Sequence, residues 1–149
     1  MLPLFVYGTL QDSDIRAAVL GRALAASALV QAYVEDFACL YYPGRVYPAL
    51  AARPGARTGG LILIGLTDAD LAALDAFEGK QYGRSTITVT TVKETLRAHV
   101  YLPTLNMPAD ALPWRFDHWV QRHKPAVLAA ETELARGARR KVARQASAE

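Results

Sequence analysis

Leu74-Asp75-Ala76-Phe77-Glu78-Gly79-Lys80-Gln81-Tyr82-Gly83-Arg84 closes an amphipathic helix and leads into a strand. Leu66, Leu71, Leu74 and Phe77 fall at helical spacing, and Gly79 reads as the left-handed cap that ends the helix. Glu78 then sits in the last turn, at the negative end of the helix dipole, where a cation is the favoured charge. The dipole alone costs a carboxylate only about 0.3–1 kcal/mol. If the surroundings are also apolar the carboxyl pKa rises, and Glu78 becomes a candidate proton shuttle near neutral pH. The plain alternative is a solvated Glu at a helix end beside Lys80.

Working outward, Thr58 to Leu66 reads as a strongly apolar strand. Thr67 caps the helix that follows, with Asp68 and Asp70 in its first turn. On the other side, Ser85 to Glu94 alternates Ile87, Val89 and Thr91 with Thr86, Thr88 and Thr90, the pattern of a half-exposed strand. Leu96 to Tyr101 is expected to pair back on it as a hairpin. Leu2 to Tyr7 reads as a short buried strand broken by Gly8, after which Asp12 or Ser13 caps a helix to about Leu20. Ala28 to Val34 and Phe37 to Tyr41 read as two short strands with a turn at Glu35-Asp36. Tyr42-Pro43-Gly44 is a turn, Tyr47-Pro48-Ala49-Leu50 is extended, and Arg53-Pro54-Gly55-Ala56-Arg57 is a turn or loop.

Asn106 to Pro113 forms an irregular linker. From Trp114 onward, Phe116, Trp119, Val120, His123 and Val127 share one helical face. The chain is thus expected to be one domain over residues 1–113, with a C-terminal helix, residues 114–149, docked by its aromatic end and fraying in a basic tail. Many short strands with a few helices, not strictly alternating, argue for α+β: a small, mostly antiparallel sheet or barrel flanked by helices.

The chain has 149 residues, enough for a sizeable core. An apolar fraction of 52% against 21% charged residues excludes a disordered chain. No apolar run approaches the roughly 18 residues of a membrane span, and the start lacks the basic region of a signal peptide. Cys39 is the only cysteine, which excludes an internal disulfide framework, and a cytoplasmic location is the expectation. The net charge of +3 is uneven, with the excess in Arg136, Arg139, Arg140, Lys141 and Arg144. Such a cluster suits nucleic acid or an anionic surface. It equally suits the solvated end of a terminal helix, and no aromatic residues interleave with it as single-strand binding requires.

A second candidate site is Tyr7-Gly8-Thr9-Leu10, where the first strand turns toward the first helix. Gly8 permits a sharp turn, and the amides of Gly8, Thr9 and Leu10 can converge on an anion or a developing oxyanion. The glycine-rich spacing and Gly-Lys-Ser/Thr ending of a P-loop are absent. His99, His118 and His123 lack metal-ligand spacing and a supporting Cys or carboxylate cluster, so no metal site is expected. Cys39 reads as a small buried hydrophobe.

Phe5-Val6-Tyr7-Gly8-Thr9-Leu10, Tyr47-Pro48-Ala49-Leu50, Gly59-Gly60-Leu61 and Leu74-Asp75-Ala76-Phe77-Glu78-Gly79, followed by Tyr82 and Arg84, together resemble the gamma-glutamylcyclotransferase-like family, with its avirulence-induced-gene-type fold. The resemblance spans roughly residues 2–102. It implies a small mixed, mostly antiparallel β-barrel with flanking helices. It implies release of 5-oxoproline by attack of a γ-glutamyl α-amine on its own side-chain amide carbonyl. Glu78 occupies the acid/base position, and residues 7–10 match the substrate-binding turn.

The residues suit that chemistry. The α-amine must lose a proton and the departing amine must gain one, and one carboxylate of raised pKa serves both. The nucleophile belongs to the substrate, so neither a triad, a cofactor nor a metal is required. Tyr7 and Tyr82 can orient the substrate by their hydroxyls, and Arg84 can pair with a carboxylate; its structural alternative is an ion pair with Asp75. The family's substrates include glutathione, γ-glutamyl amino acids, γ-glutamylamines and biosynthetic intermediates, and nothing in residues 35–58 or 79–84 chooses among them. A small γ-glutamyl compound is the expected partner; the alternatives are a non-catalytic module that binds a small anionic metabolite on the same fold, and nucleic-acid binding by the basic tail. Oligomeric state is not legible.

Overall fold

Alternation within three residues of the first strand, β1 (Leu4–Val6), sets up the whole molecule. Leu4 and Val6 point to one side and Phe5 to the other, and all three are buried. A strand buried on both faces reads as an uninterrupted apolar run, as this one does. In the computed structural model, which describes residues 1–134, the two sides lead to two cores. Phe5 joins Val34, Leu50, Ile62, Val89, Ala98 and Val100 inside a barrel. Leu4 and Val6 join Ile15, Leu63, Leu71, Leu74 and Trp119 between the barrel and its helices.

The barrel is closed in the order β1, β3 (Pro48–Leu63), β2 (Leu29–Tyr41), β4 (Tyr82–Thr90), β5 (Thr95–Pro103). Every pairing is antiparallel except β1 with β5, where Leu4 lies opposite His99. The expected small mixed barrel flanked by helices is therefore the fold. Closure leaves no free sheet edge among these strands. Gly60, on β3, is required by close approach: a Cβ there would sit 2.2 Å from the Val6 carbonyl oxygen and 3.1 Å from the Phe5 ring.

Two expected breaks are bends instead. Residues 29–41 form one strand, not two with a turn at Glu35-Asp36, and residues 53–57 are not a loop but part of β3. The register shifts between Glu35, opposite Arg57, and Phe37, opposite Ala52. Asp36 takes a left-handed φ of 64° and Gly55 a φ of 83°, and the Asp36 carboxylate accepts the Gly55 amide at 2.9 Å. The turn-forming residues are spent on a bulge that bends the hairpin.

Helix α1 (Ser13–Leu20) is capped by Asp12, whose carboxylate accepts the amides of Asp14 and Ile15. Helix α2 (Asp68–Glu78) begins with a capping box between Thr67 and Asp70. Gly79, at its end, has φ 64° but ψ −152°, outside the left-handed helical region expected of it, and a 3₁₀ turn over Gly79–Gln81 follows. After α3 (Phe116–Arg122), helical backbone resumes over residues 124–134. Val127 and Leu128 of this segment pack against the core cluster that holds Trp114 and Trp119. Lys124 adds ion pairs to Asp12 and Asp14, each 2.8 Å. The expected fraying of the basic tail concerns residues beyond those described.

Candidate active site

The turn after β1 is built before any ligand is considered. Thr9–Gln11 form a 3₁₀ turn in which the amides of Gln11 and Asp12 bond the carbonyls of Gly8 and Thr9. The first amides of such a turn have no partner within it, so those of Gly8, Thr9 and Leu10 are the ones available to an acceptor. Gln11 donates its side-chain amide to the Tyr7 carbonyl at 2.8 Å. Buried Arg16 reaches back from α1 to the carbonyls of Leu10, 3.0 Å, and Gln11, 2.7 Å. Gly8 lies against Pro48, whose Cγ would be 3.0 Å from a Cβ at position 8. Two separate sequence motifs, residues 7–10 and 47–50, thus meet, and glycine is the residue that lets them.

This turn opens onto a cavity of about 370 Å3, within the range of small-ligand sites. Tyr7, Gly8, Thr9, Leu10, Glu78 and Tyr82 all line it, so six of the seven residues singled out in the sequence come together. Val46, Tyr47, Pro48, Phe77, Gln81 and Tyr101 complete the barrel side. Trp119, Val127, Ala130 and Glu131 close the other side from the terminal helical segment.

Arg84 is the exception. It does not line the cavity; its guanidinium makes a two-point pair with the Asp75 carboxylate at 3.0 and 3.3 Å. The structural alternative is the one found, and its role is indirect. Asp75 also accepts the Tyr101 hydroxyl at 2.6 Å, and the Tyr101 carbonyl accepts the Tyr7 hydroxyl at 2.6 Å. Arg84, Asp75, Tyr101 and Tyr7 form one chain of contacts behind the cavity wall.

Glu78 is the last residue of α2, and no basic residue shares that last turn. The residue is partly buried, its carboxyl set in the cavity wall, and its pKa is pushed up to about 8, first by burial and then by the negative charge of Glu131. Burial also raises the Glu131 carboxyl. The tyrosines stay neutral: burial foremost raises Tyr7, Tyr82 and Tyr101 further above their ordinary value. Tyr82 donates its hydroxyl to the Pro48 carbonyl at 2.5 Å, and Tyr47 bonds Gln81. Tyr7 and Tyr82 therefore spend their hydrogens on the protein and can only accept from a ligand.

Sequence reading missed Trp119 and Glu131 as site residues. Positions 119, 123, 127 and 131 follow one helical stripe, and an acid on a stripe of apolar residues was the signal available. It also missed Gln11 and Arg16, which hold the turn. Cys39 lies outside this cavity, and burial pushes its thiol up to about 12. Among the described residues no three His, Cys, Asp or Glu side chains gather as a metal-binding group, and no helix is long and apolar enough to cross a membrane.

A family described as "Gamma-glutamyl cyclotransferase, AIG2-like" matches residues 4–137, so the match continues past Pro113 into the terminal helix. AIG2-like protein D of Arabidopsis thaliana is 31% identical over 139 residues, covering 91% of this chain and 90% of that protein. AIG2-like protein C of the same plant is 32% identical over 130 residues, covering 85% and 74%. The solution structure of an Arabidopsis thaliana protein superposes with a TM-score of 0.66 at 28% identity, covering 87% of each chain. A solved gamma-glutamyl cyclotransferase shares the fold, with a TM-score of 0.55 at 17% identity over 69% of this chain and 66% of its own.

Proposed function

Since the chain belongs to the gamma-glutamyl cyclotransferase, AIG2-like family, we propose that it releases 5-oxoproline from a γ-glutamyl amide or amine, with Glu78 as general acid and base. The observation that carries the reading is a carboxyl raised to about 8 in the wall of a ligand-sized cavity that the turn of residues 7–10 also lines. A group that titrates near working pH can both take and return a proton.

In this scheme the substrate's α-ammonium gives a proton to ionised Glu78. The freed nitrogen attacks the substrate's own γ-carbonyl carbon and closes a five-membered ring. The amides of Gly8, Thr9 and Leu10 stabilise the oxygen that gains charge. The bond to the departing amine then breaks as protonated Glu78 gives its proton to that nitrogen. Glu78 then takes the second proton from the ring nitrogen and passes it to the released amine, so it ends as it began, and the products are 5-oxoproline and an ammonium. The nucleophile and electrophile share one molecule, so holding it in the right conformer supplies much of the rate.

The purified protein and its Glu78→Gln variant, incubated with a panel of γ-glutamyl compounds, are compared for 5-oxoproline by mass spectrometry. Product from the parent and not from the variant is expected. A folded variant that turns over at the parent rate removes Glu78 from the role. Binding without product from any compound favours a metabolite-binding module.

A further inference from the structure

The scheme above uses the barrel side of the cavity and leaves the terminal helical segment without a task. Glu131 lines the same cavity as Glu78, and among the described residues no Lys, Arg or His lines it. The hydroxyls of Tyr7 and Tyr82 already donate to the carbonyls of Tyr101 and Pro48. The polar side chains there are thus largely acceptors, two of them carboxylates, and among the described residues no cation lies beside them. Such a cavity favours a ligand that brings both N–H groups and positive charge.

One group points the other way. Trp119 also lines the cavity, is only 1% exposed, and its indole Nε1–H has no hydrogen-bond partner among the described residues. Buried donors are nearly always satisfied, and an orphan calls for an acceptor that is brought in. A cation and an acceptor oxygen on one molecule describe an amino-acid head.

We propose that Glu131 is a positioning residue that holds the α-ammonium of a γ-glutamyl substrate, and that the Trp119 Nε1–H donates to an oxygen of the same molecule. The identity of that ammonium rests on the cyclotransferase reading. With one N–H held by Glu131, the nitrogen is turned so that another faces Glu78. After Glu78 takes that proton, the remaining bond to Glu131 keeps the lone pair aimed at the carbonyl carbon. Selection and proton transfer are divided between two carboxylates, one on each wall.

The titratable groups facing Glu78 are Tyr7 of β1, Tyr47 ahead of β3, Tyr82 of β4, Tyr101 of β5 and Glu131, with the Asp75–Arg84 pair behind Tyr101. Burial keeps Tyr7, Tyr82 and Tyr101 neutral over the working range, and Glu131 is the second carboxyl beside Glu78.

Glu131→Gln and Glu131→Asp in the full chain test the assignment. For a γ-glutamyl compound that is turned over, Glu131→Gln is expected to raise KM about 10- to 100-fold, the worth of a charge-assisted hydrogen bond, with kcat changed less than about threefold. Glu131→Asp is expected to recover part of the loss. A fall in kcat at unchanged KM overturns the positioning role. Two readouts need no turnover. Carbon-13 titration of the Glu78 carboxyl is expected to move down in Glu131→Gln as a like charge is removed, and an unchanged midpoint overturns the pairing. In a Glu78→Gln background, calorimetry is expected to show L-glutamine bound more tightly than its des-amino analogue, glutaramate. Adding Glu131→Gln should erase that preference, and adding Trp119→Phe should weaken both ligands. Equal binding, no binding, or a preference that survives loss of Glu131 overturns the inference. If these readouts hold while the parent forms no 5-oxoproline from any compound, the cyclotransferase reading falls and the ammonium site stands.

Discussion

The two walls of the cavity are made in different ways. The barrel wall is fixed by backbone: the Tyr7 turn is clamped by Gln11 and Arg16, and Tyr82 and Tyr7 are tied to main-chain carbonyls. The helical wall is fixed by side chains, through Trp119 stacked on Phe116 at 6.0 Å, through Val127 and Leu128, and through Lys124 on Asp12 and Asp14. Backbone constraints tolerate few residues and leave short local motifs. Side-chain docking tolerates many and leaves only periodicity. The wall that carries the proposed chemistry is therefore rigid and recognisable, while the wall that carries the proposed selection is free to vary.

The sharpest test of this division is Glu78→Gln. Turnover is expected to fall by about 10²- to 10⁴-fold, the usual contribution of a general acid/base, against a change mainly in KM at Glu131. The same substitution should act on stability with the opposite sign. The Glu78 carboxyl titrates near 4.5 when unfolded and near 8 when folded. Between those values the folded state keeps a proton that the unfolded chain has lost, so stability falls as pH rises from about 4.5 to 8 and then levels. The loss is on the order of a few kcal/mol. Denaturant melts across this range are expected to show the slope in the parent and a much shallower one in Glu78→Gln, where the raised Glu131 carboxyl remains. Activity rises where stability falls, because the base must be ionised.

Gly60→Ala tests the rigid wall by packing alone. The new methyl would meet the Val6 carbonyl, so a loss of about 2–4 kcal/mol is expected in denaturant unfolding. Val127→Ala on the helical wall is expected to cost about 1 kcal/mol, because the residue is only partly buried. Equal losses would break the comparison. The smallest effect is expected from Arg84→Ala: less than about 1 kcal/mol, as for other partly exposed ion pairs, with kcat/KM within about twofold. A large rise in KM there would return Arg84 to the binding site.

The same division explains what was legible. Residues 7–10, 47–50, 59–61 and 74–79 each meet a local demand, so the order of these pieces pointed to the fold and to the barrel wall. The continuity of β2 and β3 was hidden because Asp36 and Gly55 are turn formers whether they end a strand or bend one. Arg84 was ambiguous because pairing with Asp75 is a tertiary choice. Glu131 showed in sequence only as an acid on a helical stripe, because a helix shows its face in sequence but not what that face covers.

β1 supplies only three residues, yet it pairs with β3 on one side and with β5 on the other. The His99 amide donates to the Pro3 carbonyl at 2.8 Å across that seam. The stave made first during synthesis is thus the one whose second neighbour is made late, and loop closure over most of the chain must precede the seam. Tyr7 and Gly8 ride at its end. Until β5 has emerged and closed on β1, the turn has no finished barrel wall to face, and the chain acquires that side of its cavity in the same event that seals its barrel.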